Sequence, residues 1–139
     1  MMAFPFDRSG DLMVVSAKVW GPREAREVLL VIDTGAAATS IEPRVLRELG
    51  YSSRDAILRT RVPTPTGVQQ GYLFRVDRFQ ALGAEIPSFV IQSLALNDEY
   101  GVDGLLGMNF LESFNFLVRP RDRQIHLEPV DSGESPHVA

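Results

Sequence analysis

Apolar and polar positions alternate, cluster and break in a way that divides the chain into short extended segments. Residues 12–20 are apolar-rich with partial alternation and stop at Gly21-Pro22, a turn that returns the chain into residues 27–32 as a hairpin partner. Leu29 to Ile32 are four consecutive large aliphatics, a pattern that predicts a strand buried on both faces. In residues 41–49 the periodicity changes: Ile41, Val45, Leu46 and Leu49 fall at helical spacing, Pro43 suits a first turn, Ser40 a cap, and Gly50 the stop. Strand patterns return over 57–62 and 68–79, the second with Tyr72, Phe74 and Val76 on one face. Between them Pro63-Thr64-Pro65-Thr66-Gly67 forms the small-residue tip of a hairpin.

Residues 89–96 read as another apolar strand. Further on, Leu105 and Leu106 stand between Gly104 and Gly107, which predicts a core strand whose ends need close backbone approach, followed by a short helix through Phe114. Residues 116–118 and 125–127 close the chain as a hairpin around Arg119-Pro120-Arg121-Asp122-Arg123. The small, polar residues 130–139 read as a disordered tail. The inventory is about seven strands with one or two short helices, a mainly β domain over 1–129.

Composition narrows the chemistry. With 139 residues, 45% apolar and 23% charged, the chain has the size and core of one domain. Net charge is −4 and no basic block occurs, so neither nucleic acid nor an anionic membrane is an expected partner. Cysteine is absent, which removes disulfides, thiolate nucleophiles and sulfur-ligated metals. The first twenty residues carry Asp7, Arg8 and Asp11 where a signal peptide needs an unbroken apolar stretch, and no run approaches the ~20 residues of a membrane span, so the expectation is a cytoplasmic protein. His126 and His137 are the only imidazoles, His126 alternating outward between Ile125 and Leu127, so no metal or cofactor is expected.

Catalysis, if present, must use oxygen or nitrogen, and Asp33-Thr34-Gly35 is where a carboxylate stands on a tight turn at the exit from a buried strand. Taken alone the triplet is weak. It arises by chance in roughly a few per cent of chains this long, and an aspartate that bonds its own backbone two residues on accounts for it equally. A phosphate-binding loop of the actin-like or sugar-kinase type also places an aspartate and small residues after a buried strand. That chemistry needs two lobes and further phosphate contacts.

Taken together, VIDTGAAATSI, the hairpin tip some thirty residues on and DGLLGMNFLESFNF resemble the retropepsin-like aspartic proteases, and especially the single-domain bacterial relatives of retroviral proteases. The resemblance covers roughly residues 12–128. It implies a closed retropepsin-like β-barrel with one or two short helices, acting on a peptide or protein substrate as a homodimer whose active site lies on the two-fold axis. Peptide hydrolysis by carboxylates needs one group to take a proton from water and another to give one. Two carboxylates about 3 Å apart share a single proton. One chain offers one such motif, and a two-fold axis supplies the second; activity is then expected to fall once pH is high enough to remove the shared proton.

By that resemblance Asp33, Thr34 and Gly35 are the catalytic residues, with the Thr34 hydroxyl crossing to the opposing loop and the Gly35 N–H close to the carboxylate. Ala36, Ala37, Pro65, Thr66 and Gly67 are the expected substrate-binding residues, the last three as the tip of a flap. Ala37 and Ala38 replace acidic residues common in viral relatives, and the two prolines stiffen the tip. Asp103, which also precedes a glycine and an apolar pair, reads as a turn or capping residue, with a single-chain Asp33/Asp103 pair as the lesser alternative. A retropepsin-fold dimerisation or peptide-binding module with little proteolysis is the competing function.

Overall fold

The computed structural model describes residues 2–96 and 101–129; the expected tail over 130–139 lies outside the described residues. Two short strands, β1 (Met2–Pro5) and β2 (Asp7–Ser9), precede the expected hairpin of β3 (Leu12–Trp20) and β4 (Ala25–Ile32). After the Asp33 turn come β5 (Ser40–Ile41), helix α1 (Pro43–Glu48) and a single 3-10 turn at Ser53–Asp55. The long antiparallel strands β6 (Leu58–Thr64), β7 (Gly67–Ala81) and β8 (Ala84–Ser93) follow. The described chain ends with β9 (Gly104–Leu106), α2 (Met108–Leu111), β10 (Phe114–Arg119) and β11 (Gln124–Pro129).

Six strands pair in a ring. From β3 the pairing runs through β4, β9, β5, β8 and β7, and an antiparallel contact of Ala17 with Ala81 through Trp20 with Arg78 returns β7 to β3. β4 and β9 are parallel, as are β5 and β8; β2 and β6 extend the ring's sheet as edges. A separate antiparallel sheet joins the two ends of the described chain in the order β1, β11, β10. The core inside consists of branched aliphatics, Leu30, Ile41, Ile91 and Leu106 among them, with the stacked rings of Phe79 and Phe89 (4.7 Å) and the edge of Phe110 (5.6 Å). Val45, Leu46 and Leu49 of α1 and its C-terminal end are buried in the same cluster. Among the described residues no helix is long and apolar enough to cross a membrane.

Four local expectations change. Leu29 is 46% exposed, so the aliphatic run before Asp33 is buried on both faces only from Leu30 onward. Ser40 does not cap α1: it is buried in β5, paired with Gln92 of β8 on one side and Leu105 of β9 on the other. Glu42 precedes the helix without a side-chain cap, and Ile41 gave a helical signal because it is buried in the ring instead. β8 begins five residues before the expected 89, because Leu82 and Gly83, both at positive φ (49° and 76°), turn β7 directly into it as a two-residue hairpin loop.

Inward-facing positions on β7 change parity between Val76 and Phe79, and on β8 between Ile86 and Phe89. Between them the pairing skips Asp77, opposite Ser88, whose φ is 52°. Tyr51, buried at the end of the α1 segment, compensates: its hydroxyl accepts the Asp77 N–H (3.0 Å) and donates to the Trp20 carbonyl (3.2 Å). Burial raises the Tyr51 pKa above 10.0, the Asp77 amide bond partly opposing it and the Asp77 charge adding to it.

A tyrosine whose folded pKa lies above the unfolded value binds its proton more tightly in the native state. Its stabilisation is complete below pH 10 and is lost as pH rises through the folded pKa. Tyr51→Phe, which leaves a buried amide without its acceptor, is expected to cost about 1–3 kcal/mol at neutral pH. In urea denaturation the variant should also lose the part of the alkaline destabilisation that Tyr51 causes.

Candidate active site

β4 and β9 run side by side in parallel, Leu30 opposite Gly104 and Ile32 opposite Leu106, and the Asp33 N–H continues the ladder to the Leu106 carbonyl at 3.0 Å. The chain then turns sharply. The Gly35 N–H donates to Asp33 Oδ1 (2.9 Å) and the Ala36 N–H to the Asp33 carbonyl (3.2 Å). Asp33 is therefore a turn-former, as the plainer reading of the triplet required. That function uses only one carboxylate oxygen. Oδ2 makes no hydrogen bond or ion pair with any described residue, on a side chain that is only half-buried. The neighbouring Thr34 is exposed, and its hydroxyl also has no partner among the described residues.

The loop is held from behind by the segment after β9. The Met108 N–H donates to the Ala36 carbonyl (2.7 Å) and the Asn109 N–H to the Ala37 carbonyl (3.0 Å), so the first amides of α2 are taken by the turn that carries Asp33. Asn109 fixes the next residue as well: its Oδ1 accepts both the backbone N–H and the hydroxyl of Thr39 (2.8 Å each), while its Nδ2 donates to the Val90 carbonyl (2.8 Å). Thr39, fully buried, accepts the Gly107 N–H on its hydroxyl (3.1 Å).

Close approach explains the flanking glycines. A Cβ on Gly104 would lie 2.0 Å from the Ser40 carbonyl oxygen, and one on Gly107 2.5 Å from that of Ala38. The small alanines have the same use, since the chain they admit is α2 itself.

Ala36 and Ala37 thus share the loop with Asp33, Thr34 and Gly35, Ala37 exposed and Ala36 half-buried. Pro65, Thr66 and Gly67 stand apart on another hairpin: Pro65 and Thr66 form the two-residue turn closed by Thr64 and Gly67, and all three are exposed. Asp103 is not a second catalytic group. It stands opposite Leu29, its backbone N–H donating to the Leu29 carbonyl (2.8 Å) and its Oδ2 accepting the Leu29 N–H (2.9 Å). Four residues of strand, about 13 Å, separate Leu29 from Asp33. Arg44 pairs with Asp103 Oδ1 at 3.3 Å, and the Glu42 N–H bonds its carbonyl, so Asp103 clips α1 to the β4–β9 pair.

Thr39 and Asn109 are the supporting residues that sequence reasoning missed. The one available signal was a polar side chain inside an apolar run, Asn109 within GLLGMNFL and Thr39 ahead of Ile41.

A family model described as aspartyl protease matches residues 15–110, more than half of the chain and the whole of this loop and its supports. The chain belongs to that aspartyl protease family. Its fold is similar to that of a retropepsin-like aspartic protease from Rickettsia conorii, with a TM-score of 0.68 and 19% identity over 91% of this chain and 89% of that one. A search of curated protein sequences found no match.

Asn109→Ala leaves the Thr39 amide and hydroxyl and the Val90 carbonyl short of partners near the core. At about 1–3 kcal/mol for a buried polar group left unpaired, a total loss of several kcal/mol in unfolding free energy is expected by chemical denaturation.

Proposed function

We propose that this chain is an aspartic endopeptidase that works as a homodimer, with Asp33 of each protomer forming one carboxyl pair. The observation that carries the reading is the half-used side chain: Asp33 Oδ1 is anchored by Gly35, and Oδ2 is left without a described partner at the surface of a braced loop. A two-fold axis through that surface brings a second identical group to it, completing the acid and the base that hydrolysis requires. Exposed Thr34, beside it, is placed to bond the opposing loop and fix the two carboxyls relative to each other.

In this mechanism one carboxylate takes a proton from water as the oxygen attacks the peptide carbonyl, and the protonated partner gives its proton to the carbonyl oxygen. Collapse of the resulting diol returns a proton to the leaving nitrogen and restores the shared-proton state. The family membership supports a peptide or protein as substrate. Ala36 and Ala37 flank the scissile position on the loop side, and Pro65, Thr66 and Gly67 cover an extended substrate from the hairpin tip. The Ala36 and Ala37 carbonyls already accept bonds from α2, which weakens their hold on substrate backbone and favours dependence on the tip.

Sedimentation, run beside pepstatin-sensitive cleavage of a mixed peptide library between pH 4 and 7, tests the reading. A dimer is expected, with specific activity falling on dilution below its dissociation constant. Asp33→Asn should keep fold and dimer and lose at least roughly 10³-fold in cleavage rate, since it removes both proton-transfer partners at once. Binding without cleavage by the native chain would instead establish the module.

A further inference from the structure

A cavity of about 590 Å³ lies between α1 and the root of the β6–β7 hairpin. Leu46, Tyr51, Tyr72 and Phe74 supply its apolar wall, Gln70 and Arg47 part of its rim. No residue of the catalytic loop lines it. β5 leads from one to the other: its first residue follows Thr39 at the loop, and past Ile41, opposite Ser93, the chain leaves for α1 and the cavity. A second concavity of about 490 Å³ adjoins through the shared Gln70 and is lined by Arg59 and Arg61.

Strand geometry explains why the two concavities form one groove. Arg59 and Arg61 are two residues apart on β6 and so share a face, on which their cross-strand neighbours are Tyr72 and Gln70. Charge marks the groove further. The chain as a whole is acidic, yet the two concavities are lined by Arg47, Arg59 and Arg61, and none of the three makes an ion pair with a described residue. The carboxylate adjoining this region, Asp55, is engaged by the Ser52 N–H at 2.7 Å.

We propose that this groove is a docking site for an extended acidic segment of a partner protein, separate from the Asp33 site. Arg59 and Arg61 are about 6.6 Å apart along the strand, the spacing of alternate side chains in an extended peptide, so carboxylates two residues apart meet them in register. Guanidinium and carboxylate pair in forked geometry with charge-assisted bonds. An apolar side chain further along the segment enters the cavity walled by Leu46, Tyr51 and Phe74, whose size is ordinary for a ligand pocket. The site stands whether or not the chain cleaves peptides, because no group in it takes part in proteolysis.

The test uses the full chain carrying Asp33→Asn and a fluorescein-labelled peptide, Gly-Glu-Thr-Glu-Gly-Phe, read by fluorescence anisotropy beside its counterpart with both glutamates replaced by glutamine. The glutamate peptide is expected to bind at least tenfold more tightly at low salt, and less so as salt is added. Arg59→Gln with Arg61→Gln should abolish that preference, and Arg121→Gln on the β10–β11 turn should leave it. Absence of binding by the glutamate peptide overturns the proposal. So does equal binding of the two peptides, or an equal loss in Arg121→Gln.

Discussion

Everything at the site depends on a three-residue strand fitting between two others. β9 lies in contact with β4 on one side and β5 on the other, and the Asp33 amide closes the end of that ladder on Leu106. The fit leaves no room for a side chain at Gly104 or Gly107, where the Ser40 and Ala38 carbonyls already occupy the position of a Cβ. Because β9 is pinned there, α2 starts directly behind the Asp33 turn, and its first amides take the Ala36 and Ala37 carbonyls. A loop that would otherwise be free at the surface is thereby fixed by its own backbone, at no cost to the side chain it displays.

The support is polar as well as steric. Asn109 and Thr39 join α2, the Asp33 turn and β8 through a small, fully bonded cluster at the core's edge. Such clusters hold one geometry well because each member left unpaired is costly in a low-dielectric setting. Tyr51 plays a comparable part where the β7–β8 ladder skips a pair, bridging β7 to the end of β3. The ring therefore has two buried polar fastenings, one behind the carboxylate and one away from it, and the hairpin carrying Pro65 and Thr66 projects from its edge.

The order of strands around Asp33 was legible in the sequence because each rests on local signals: the apolar run ending at Asp33, the glycines around Leu105 and Leu106, and the small residues between two strand patterns. Leu12 to Trp20 is recovered with its bounds. What failed to show has physical causes. Ile41 is buried by non-local pairing and so mimicked a helical position. Leu82-Gly83 turns the chain without the usual Asn-Gly signature. β1 and β2 are short and mostly exposed, leaving no apolar pattern to detect. At the site, Asp33 was legible because a carboxylate at a core exit is unusual; Asn109 and Thr39 were not, since their value lies in a meeting 70 residues apart.

One protomer presents one carboxylate with one oxygen engaged, and in the proposed dimer a second copy completes it. The most direct measurement is the stoichiometry of pepstatin bound to the native chain, by calorimetric titration at a pH where the assembly is a dimer. One pepstatin per two chains, with none bound by Asp33→Asn, is the predicted result. One per chain, or undiminished binding in Asp33→Asn, would contradict a site built from two Asp33 carboxyls.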